Sequence, residues 1–324
     1  IELKRMQGTS TDALQRCYRM MLFIRRFEET LTELFAANKM GGTSHFCIGQ
    51  EACATGVISE LDSADYLVSN HRGHGHLLAR GLEPARVLAE LMGRRTGYCG
   101  GRGGSQHMCA VDHHFLGTNG ITGGGIPIAT GAALALKKKQ SSSIAVVFFG
   151  DGASNQGTFH ESLNMAAIWD LPVLFVCENN QYAMSMPASR MTACSSIAGR
   201  GAAYGIRSDN GDGMDLVAVK KKTSDIASYV RGEQKPALLE LATYRYCGHS
   251  KNDPCVYRSR DEESLWKEKD CIKRLASLLC ERGLDSGPLA DLEAEITAEI
   301  GELVREVENC PVGDSAAALE GVYA

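Results

Sequence analysis

The sequence predicts an α/β fold: a doubly wound, mainly parallel sheet with helices on both faces, followed by a C-terminal helical extension. Two observations predict it. The first is an alternation through the middle of the chain, where the short continuous apolar runs Ile144 to Phe149, Val173 to Cys177 and Ala237 to Thr243 are separated by segments of helical periodicity. Runs this short, apolar at every position, fit strands of a parallel sheet covered on both sides. The second is the stretch 41–131, rich in glycine and histidine. Glycine loses the most backbone entropy on folding, so this stretch reads as loops shaped around a ligand.

Each element has its own signal. From Thr11 to Met40, the residues Leu14, Tyr18, Met21, Leu22, Leu31, Leu34 and Phe35 fall mostly at helical spacing, with Ser10 or Thr11 as cap and Gly41-Gly42 as stop. Within 41–131 only Pro84 to Met92 is periodic. Helices follow at Ile128 to Lys139, Thr158 to Trp169 and Leu216 to Arg231, the last opened by Asp215. The lysine runs Lys137 to Lys139 and Lys220 to Lys222 read as solvated helix ends. Beyond Asp261 the chain becomes charged, and Leu289, Leu292, Ile296, Ile300, Leu303 and Val307 form one apolar stripe that must pack on the main domain or on another chain. The expected organisation is an α/β domain over residues 1–260 and a helical extension over 261–324.

The 324 residues carry 39 acidic and 34 basic side chains, a net charge of −5 that favours neither nucleic acid nor an anionic membrane as partner. A small-molecule ligand is the default. The 12 cysteines are scattered without a CxxC pair and read as reduced thiols. No apolar run approaches the ~20 residues needed to span a bilayer. Ile1 to Thr9 lack the layout of a secretory signal, and the expected location is bacterial cytoplasm or an organelle matrix.

The chemistry concentrates at two strand ends. Gly150-Asp151-Gly152 follows directly on Ile144 to Phe149, placing Asp151 at the carboxyl end of a strand, where open α/β sheets bind ligands. The segment Asn155 to Trp169 behind it reads as a helix whose first N–H groups would face an anion, and a diphosphate fits. Asn180 lies 29 residues after Asp151, one strand-helix-strand crossover, so the two side chains are expected at neighbouring strand tips. A carboxylate and an amide oxygen there suit Mg²⁺, which takes its remaining ligands from phosphate and water. Three plainer readings stand beside this one. Gly150 to Asn155 nearly matches a dinucleotide fingerprint but lacks the third glycine, and two ordinary strand-end turns would look similar. His71, His74 and His76 are close enough for a transition-metal site, although the glycines between them suit a loop over an anion. His107, His113, His114 and His160 read as structural or surface residues.

Gly150-Asp151-Gly152 followed at this distance by Asn179-Asn180 resembles the thiamine-diphosphate motif. The stretch GDGASNQGTFHESLNMAAIWDLPVLFVCENNQYAMS is similar to the alpha subunits of the pyruvate, acetoin and branched-chain 2-oxoacid dehydrogenase complexes, and the likeness runs from about Leu14 to Arg260. The resemblance implies that Asp151, Asn180 and the Tyr182 carbonyl hold Mg²⁺, with Gly152 and Ala153 on the diphosphate. The family's Tyr-Arg pair on the diphosphate falls on His71-Arg72, so the arginine is kept and the tyrosine is not. Gly120-Ile121-Thr122 matches the segment whose backbone meets the aminopyrimidine, with Gly120 and Thr122 as the positions carried over. His45, in GTSHFCIGQEAC, matches a histidine near the substrate. His249, in CGHSKNDP, matches a loop histidine near cofactor and substrate; from the residues alone it could equally be a structural histidine after a strand. Ser250 stands where some mitochondrial relatives are phosphorylated, and the second serine of that loop is absent.

The likeness further implies a beta-type partner that supplies a glutamate to a shared active site, an assembly of two alpha and two beta chains, and a lipoyl-bearing acyltransferase as acceptor. HRGHGH, GITGGGIPIATGAALA and FFGDGASNQGTFHE are closest to acetoin dehydrogenase alpha subunits, whereas GHSKNDP resembles the loop of pyruvate dehydrogenases. Acetoin is the expected substrate and pyruvate the alternative.

Overall fold

The structure, a computed structural model, describes residues 6–250, 252–313 and 316. Helix α1 (Thr11–Ala36) is capped by the Ser10 hydroxyl, which accepts from the Ala13 N–H at 3.3 Å. It ends before the expected glycine pair: Asn38 already takes a left-handed conformation, φ 56°.

The stretch 41–131 holds more regular structure than its composition suggests. It contains α2 (Glu51–Ile58), β1 (Tyr66–Val68), α3 (His74–Ala79), α4 (Pro84–Leu91) and β2 (Phe115–Gly117). All eight residues of α2 are buried, so it has no polar face and no readable period. The two strands, three residues each, are too short to alternate visibly. His74 and His76 open α3 rather than sitting in a loop.

The centre follows the expected alternation: α5 (Gly125–Lys138), β3 (Ala145–Gly150), α6 (Gly157–Ile168) and β4 (Val173–Asn179). A small hairpin, β5 (Tyr182–Ala183) and β6 (Met186–Pro187), and the short α7 (Ala188–Met191) come next. The strand β7 (Arg207–Asp212) was not anticipated, since its sequence is polar and it lies at the sheet edge. It is followed by α8 (Leu216–Glu233) and β8 (Ala237–Ala242), then α9 (Arg260–Glu268), α10 (Cys271–Glu281) and α11 (Ser286–Glu308).

The six long-range strands form one sheet in the order β2-β1-β3-β4-β8-β7, parallel at every pair. Side chains alternate between two hydrophobic clusters. Val146, Phe148, Leu174 and Val176 face the side where α1, α2, α8, α10 and α11 contribute Met21, Ile24, Val57, Val219, Leu275 and Ile300. Ala145, Val147, Phe149, Val173 and Phe175 face α5 and α6, packing with Ile126, Ala133, Phe159 and Leu163. This two-sided burial explains why the strands read as unbroken apolar runs. Ile296, Ile300 and Val307 of α11 belong to the first cluster, so the C-terminal stripe packs within this chain.

Lys220 departs from expectation. It lies in the second turn of α8, only 1% exposed, and its Nζ donates to Met6 O (2.6 Å) and Ser59 Oγ (2.7 Å) and pairs with Glu60 Oε1 (2.7 Å). Consecutive helical residues point ~100° apart, so three lysines in a row inside a helix do not share one solvated face. Lys220→Met is expected to leave Glu60 without its buried partner and to cost about 3 kcal/mol in urea unfolding, with the circular dichroism spectrum retained.

Candidate active site

Chain order and sheet order diverge between β1 and β3: the chain leaves β1 for β2 on one side and returns to β3 on the other. Such switch points open a crevice at the carboxyl ends of the strands. A cavity of about 330 Å³ lies there, lined from the loops after β1, β2, β3, β4 and β8.

Strand register builds its floor. Gly150 pairs with Glu178, so Asp151 leaves β3 beside the point where Asn180 leaves β4. Asp151 is 1% exposed, its Oδ2 has no hydrogen-bond partner, and burial lifts its carboxyl to about 6. The Asn180 Oδ1 stands 3.1 Å from Tyr182 O and 3.3 Å from Asp151 Oδ1, with only a long 3.5 Å contact from the Tyr182 N–H. Oxygens gathered this way need either rotation of the amide or a cation between them. They are the donors a hard divalent ion takes.

Between Asp151 and α6 runs a 3₁₀ turn, Asp151–Asn155, so α6 begins two residues later than expected. The residues of this segment that line the cavity are therefore Gly152 and Ala153 in the turn, with Gln156. Gly152 has a steric reason as well: a Cβ there would stand 2.7 Å from Ala183 Cβ of the β5–β6 hairpin.

The cavity's cations come from opposite ends of the chain. Arg72, 4% exposed, donates to Phe46 O and His249 O, both at 2.8 Å. Arg245, 1% exposed, donates to Met184 O (2.9 Å) and the Tyr257 hydroxyl (2.7 Å). Neither forms an ion pair with a carboxylate among the described residues. Burial and the proximity of Arg245 hold the Arg72 guanidinium down to about 9. Two buried charges of one sign call for an anion between them.

Three imidazoles stand beside these arginines. His71 and His249 line the cavity, and His45 packs against both, with ring centroids 4.8 Å from His71 and 4.9 Å from His249. Burial and then Arg72 push His249 to about 4 and His45 to about 3, and push His71 well below its ordinary value. All three are neutral at physiological pH. His74 and His76 point elsewhere: His74 bonds Glu28 and Ser105, while His76 bonds Ser69 and Glu178. The three histidines of HRGHGH thus have separate partners. His107, His113, His114 and His160 are not among the cavity-lining residues.

Thr122 lines the cavity between Ile121 and Gly123; Gly120 sits just behind, where a Cβ would come 2.7 Å from Gln106 Oε1. Sequence reasoning missed Arg245, Glu178, Gln50 and Gln106. Arg245 sits four residues before His249 in YRYCGHS, the one local signal that pointed to it. Glu178, 3% exposed, is held by His76 and Asn70.

A parallel sheet with a switch-point crevice, a buried carboxylate at a strand tip and two buried arginines without carboxylate partners fit the thiamine-diphosphate-dependent oxidoreductases that the sequence motif resembles. Comparison with known proteins makes this specific. Residues 18–315 match the family model described as the dehydrogenase E1 component. The chain is 42% identical over 308 residues to the alpha subunit of acetoin:2,6-dichlorophenolindophenol oxidoreductase from Bacillus subtilis (strain 168), covering 94% of this chain and 92% of that protein. It is 43% identical over 269 residues to the pyruvate dehydrogenase E1 component subunit alpha of Rhizobium meliloti (strain 1021), covering 83% and 77%. The same subunit of Zymomonas mobilis subsp. mobilis (strain ATCC 31821 / ZM4 / CP4) is 41% identical over 297 residues, covering 91% and 84%. The chain therefore belongs to the dehydrogenase E1 component family, among its alpha-type subunits. The nicotinamide reading of Gly150 to Asn155 is set aside. Among the described residues no helix is long and apolar enough to cross a membrane.

Because His249 and His45 titrate below the 6.5 of a free imidazole, the unfolded chain binds protons below that pH that the folded chain does not. Their contribution to stability is present above pH 6.5 and is expected to be lost as pH falls through about 4. Denaturant unfolding of the ligand-free protein at stepped pH checks this, and His249→Gln is expected to flatten the decline.

Proposed function

We propose that this chain is the alpha subunit of an acetoin-cleaving, thiamine-diphosphate-dependent dehydrogenase that passes the acyl group to a lipoyl acceptor. The observation that carries the cofactor part is the buried Asp151 carboxylate, whose Oδ2 has no hydrogen-bond partner, beside two buried arginines without carboxylate partners. In this reading oxygens of Asp151, Asn180 and Tyr182 hold Mg²⁺, Arg72 and Arg245 neutralise the diphosphate, and the backbone of Gly152 and Ala153 receives it. Gly120 and Thr122 belong to the wall for the aminopyrimidine. Bound there, thiamine diphosphate supplies a carbon nucleophile and an electron sink for breaking the bond beside a carbonyl.

The chain's own groups position and polarise. His249 and His45, uncharged, offer hydrogen bonds to carbonyl or hydroxyl oxygens of the substrate. With both guanidiniums committed to diphosphate, an uncharged substrate such as acetoin suits three neutral imidazoles better than a carboxylate does. The likeness of HRGHGH and the neighbouring glycine-rich segments to acetoin enzymes supports the same choice. A second reading, pyruvate, is favoured by the loop GHSKNDP and by the pyruvate dehydrogenase relatives at similar identity.

The site is incomplete in this chain. Its two lining carboxylates are committed, Asp151 to the cation and Glu178 to His76 and Asn70, so the acid that tunes the aminopyrimidine comes from a beta-type chain. Ile121 and Met184, 71% and 64% exposed on the cavity lining, are apolar surface for that partner to cover. The family likeness further supports an assembly of two alpha and two beta chains docked on a lipoyl-bearing acyltransferase.

Titration calorimetry of thiamine diphosphate into the chain co-expressed with its beta-type partner is expected to give Mg²⁺-dependent binding. Asp151→Ala is expected to abolish it, and Arg72→Gln to weaken it by about 2 kcal/mol, one charge-assisted hydrogen-bond contact. Turnover with acetoin exceeding that with pyruvate, read with an artificial electron acceptor, would support the substrate choice; the reverse order would establish the pyruvate reading.

A further inference from the structure

Two of the three imidazoles have a defined partner on Nδ1: His249 meets Arg72 Nη2 at 3.2 Å, and His45 meets a neutral amide. Gln106 Nε2 lies 3.0 Å from His45 Nδ1. An amide nitrogen only donates, so Nδ1 must accept and the ring proton must sit on Nε2. The amide oxygen lies against Gly120, where any side chain would collide with it.

Both partners are fixed through the residues before them. Ser44, preceding His45, and Ser105, preceding Gln106, meet Oγ to Oγ at 3.3 Å. Ser105 Oγ also meets His74 Nε2 at 2.7 Å, and its carbonyl accepts from Thr118 Oγ1 at 3.1 Å. The loop leading to Ser105 is held by the buried Glu90, whose carboxylate accepts from the N–H groups of Cys99, Gly101, Gly103 and Gly104. Gln106 therefore arrives at His45 on rigid backbone.

His71 and His249 pack edge-on against the ring, and burial, followed by the Arg72 guanidinium, disfavours a second proton on it. Nε2 has no hydrogen-bond partner among the described residues.

We propose that Gln106 is a positioning residue that holds His45 as the neutral Nε2–H tautomer, so that His45 serves the site as a hydrogen-bond donor and never as a base. The consequence rests on the reading of the cavity as the thiamine-diphosphate site; the tautomer does not. A substrate oxygen or neighbouring ring nitrogen meeting Nε2 always meets a donor, which suits a hydroxyl or a carbonyl oxygen gaining negative charge.

The test uses the full chain co-expressed with its beta-type partner and carrying ¹⁵N-labelled histidine, with His45 signals assigned by their loss in His45→Gln. The wild type is expected to give a protonated Nε2 and an unprotonated Nδ1 across the neutral range. Gln106→Glu, whose carboxylate accepts, is expected to place a proton on Nδ1, to raise the pH at which His45 titrates, and to lower kcat/KM for acetoin on the order of 10-fold with a new acid limb in its pH profile. Gln106→Met, lacking donor and acceptor, is expected to give mixed tautomers and an intermediate kcat/KM. A protonated Nδ1 in the wild type, or His45 signals unmoved in both variants, would overturn the proposal. If the wild type turns over neither acetoin nor pyruvate while the tautomer behaves as stated, the functional reading fails and the positioning role stands.

Discussion

Two guanidinium groups inside the protein without a carboxylate to answer them set the terms for everything around the cavity. Charge removed from water is costly, and Arg72 and Arg245 recover part of that cost from backbone carbonyls, one tyrosine hydroxyl and the His249 ring nitrogen. Burial, and after it their field, keeps the neighbouring imidazoles uncharged, and the field favours a ligand with two or more negative charges. The cavity is in this sense polarised in advance, and little reorganisation remains when an anion enters. A neutral site of the same shape would bind the same molecule far less well.

The sheet makes this arrangement possible. Five loops reach one crevice because every strand runs the same way and because the chain reverses direction of travel between β1 and β3. The pairing of Gly150 with Glu178 then decides which atoms meet: a slip of one residue would turn Asp151 away from Asn180. The small hairpin after β4 completes the corner by bringing Tyr182 O back to the cluster and seating Ala183 on Gly152.

Much of this was legible in the sequence because strands covered on both faces write themselves as apolar runs, and because Asp151 and Asn180 sit at the ends of two such runs. Where burial was one-sided or complete, the text was less clear. Helix α2, buried all round, has no period; β7, at the edge, has no apolar run; and Lys220, charged but enclosed, looked like surface. Arg245 and Gln106 were missed for a related reason: each acts through a partner distant in sequence, Met184 for one and His45 for the other. No local pattern announces such a pairing. The roles of the matched site residues rest on geometry and family likeness together.

The Glu90 carboxylate at the centre of the glycine-rich loop has a further consequence. Glycine-rich loops commonly close around a phosphate or a metal ion, and acquire their shape from it. Here the anion is covalently part of the chain, always at hand and at fixed stoichiometry. The loop is ordered by an internal ligand, so the wall behind His45 is finished when the polypeptide folds and stays the same through every cycle of cofactor and substrate.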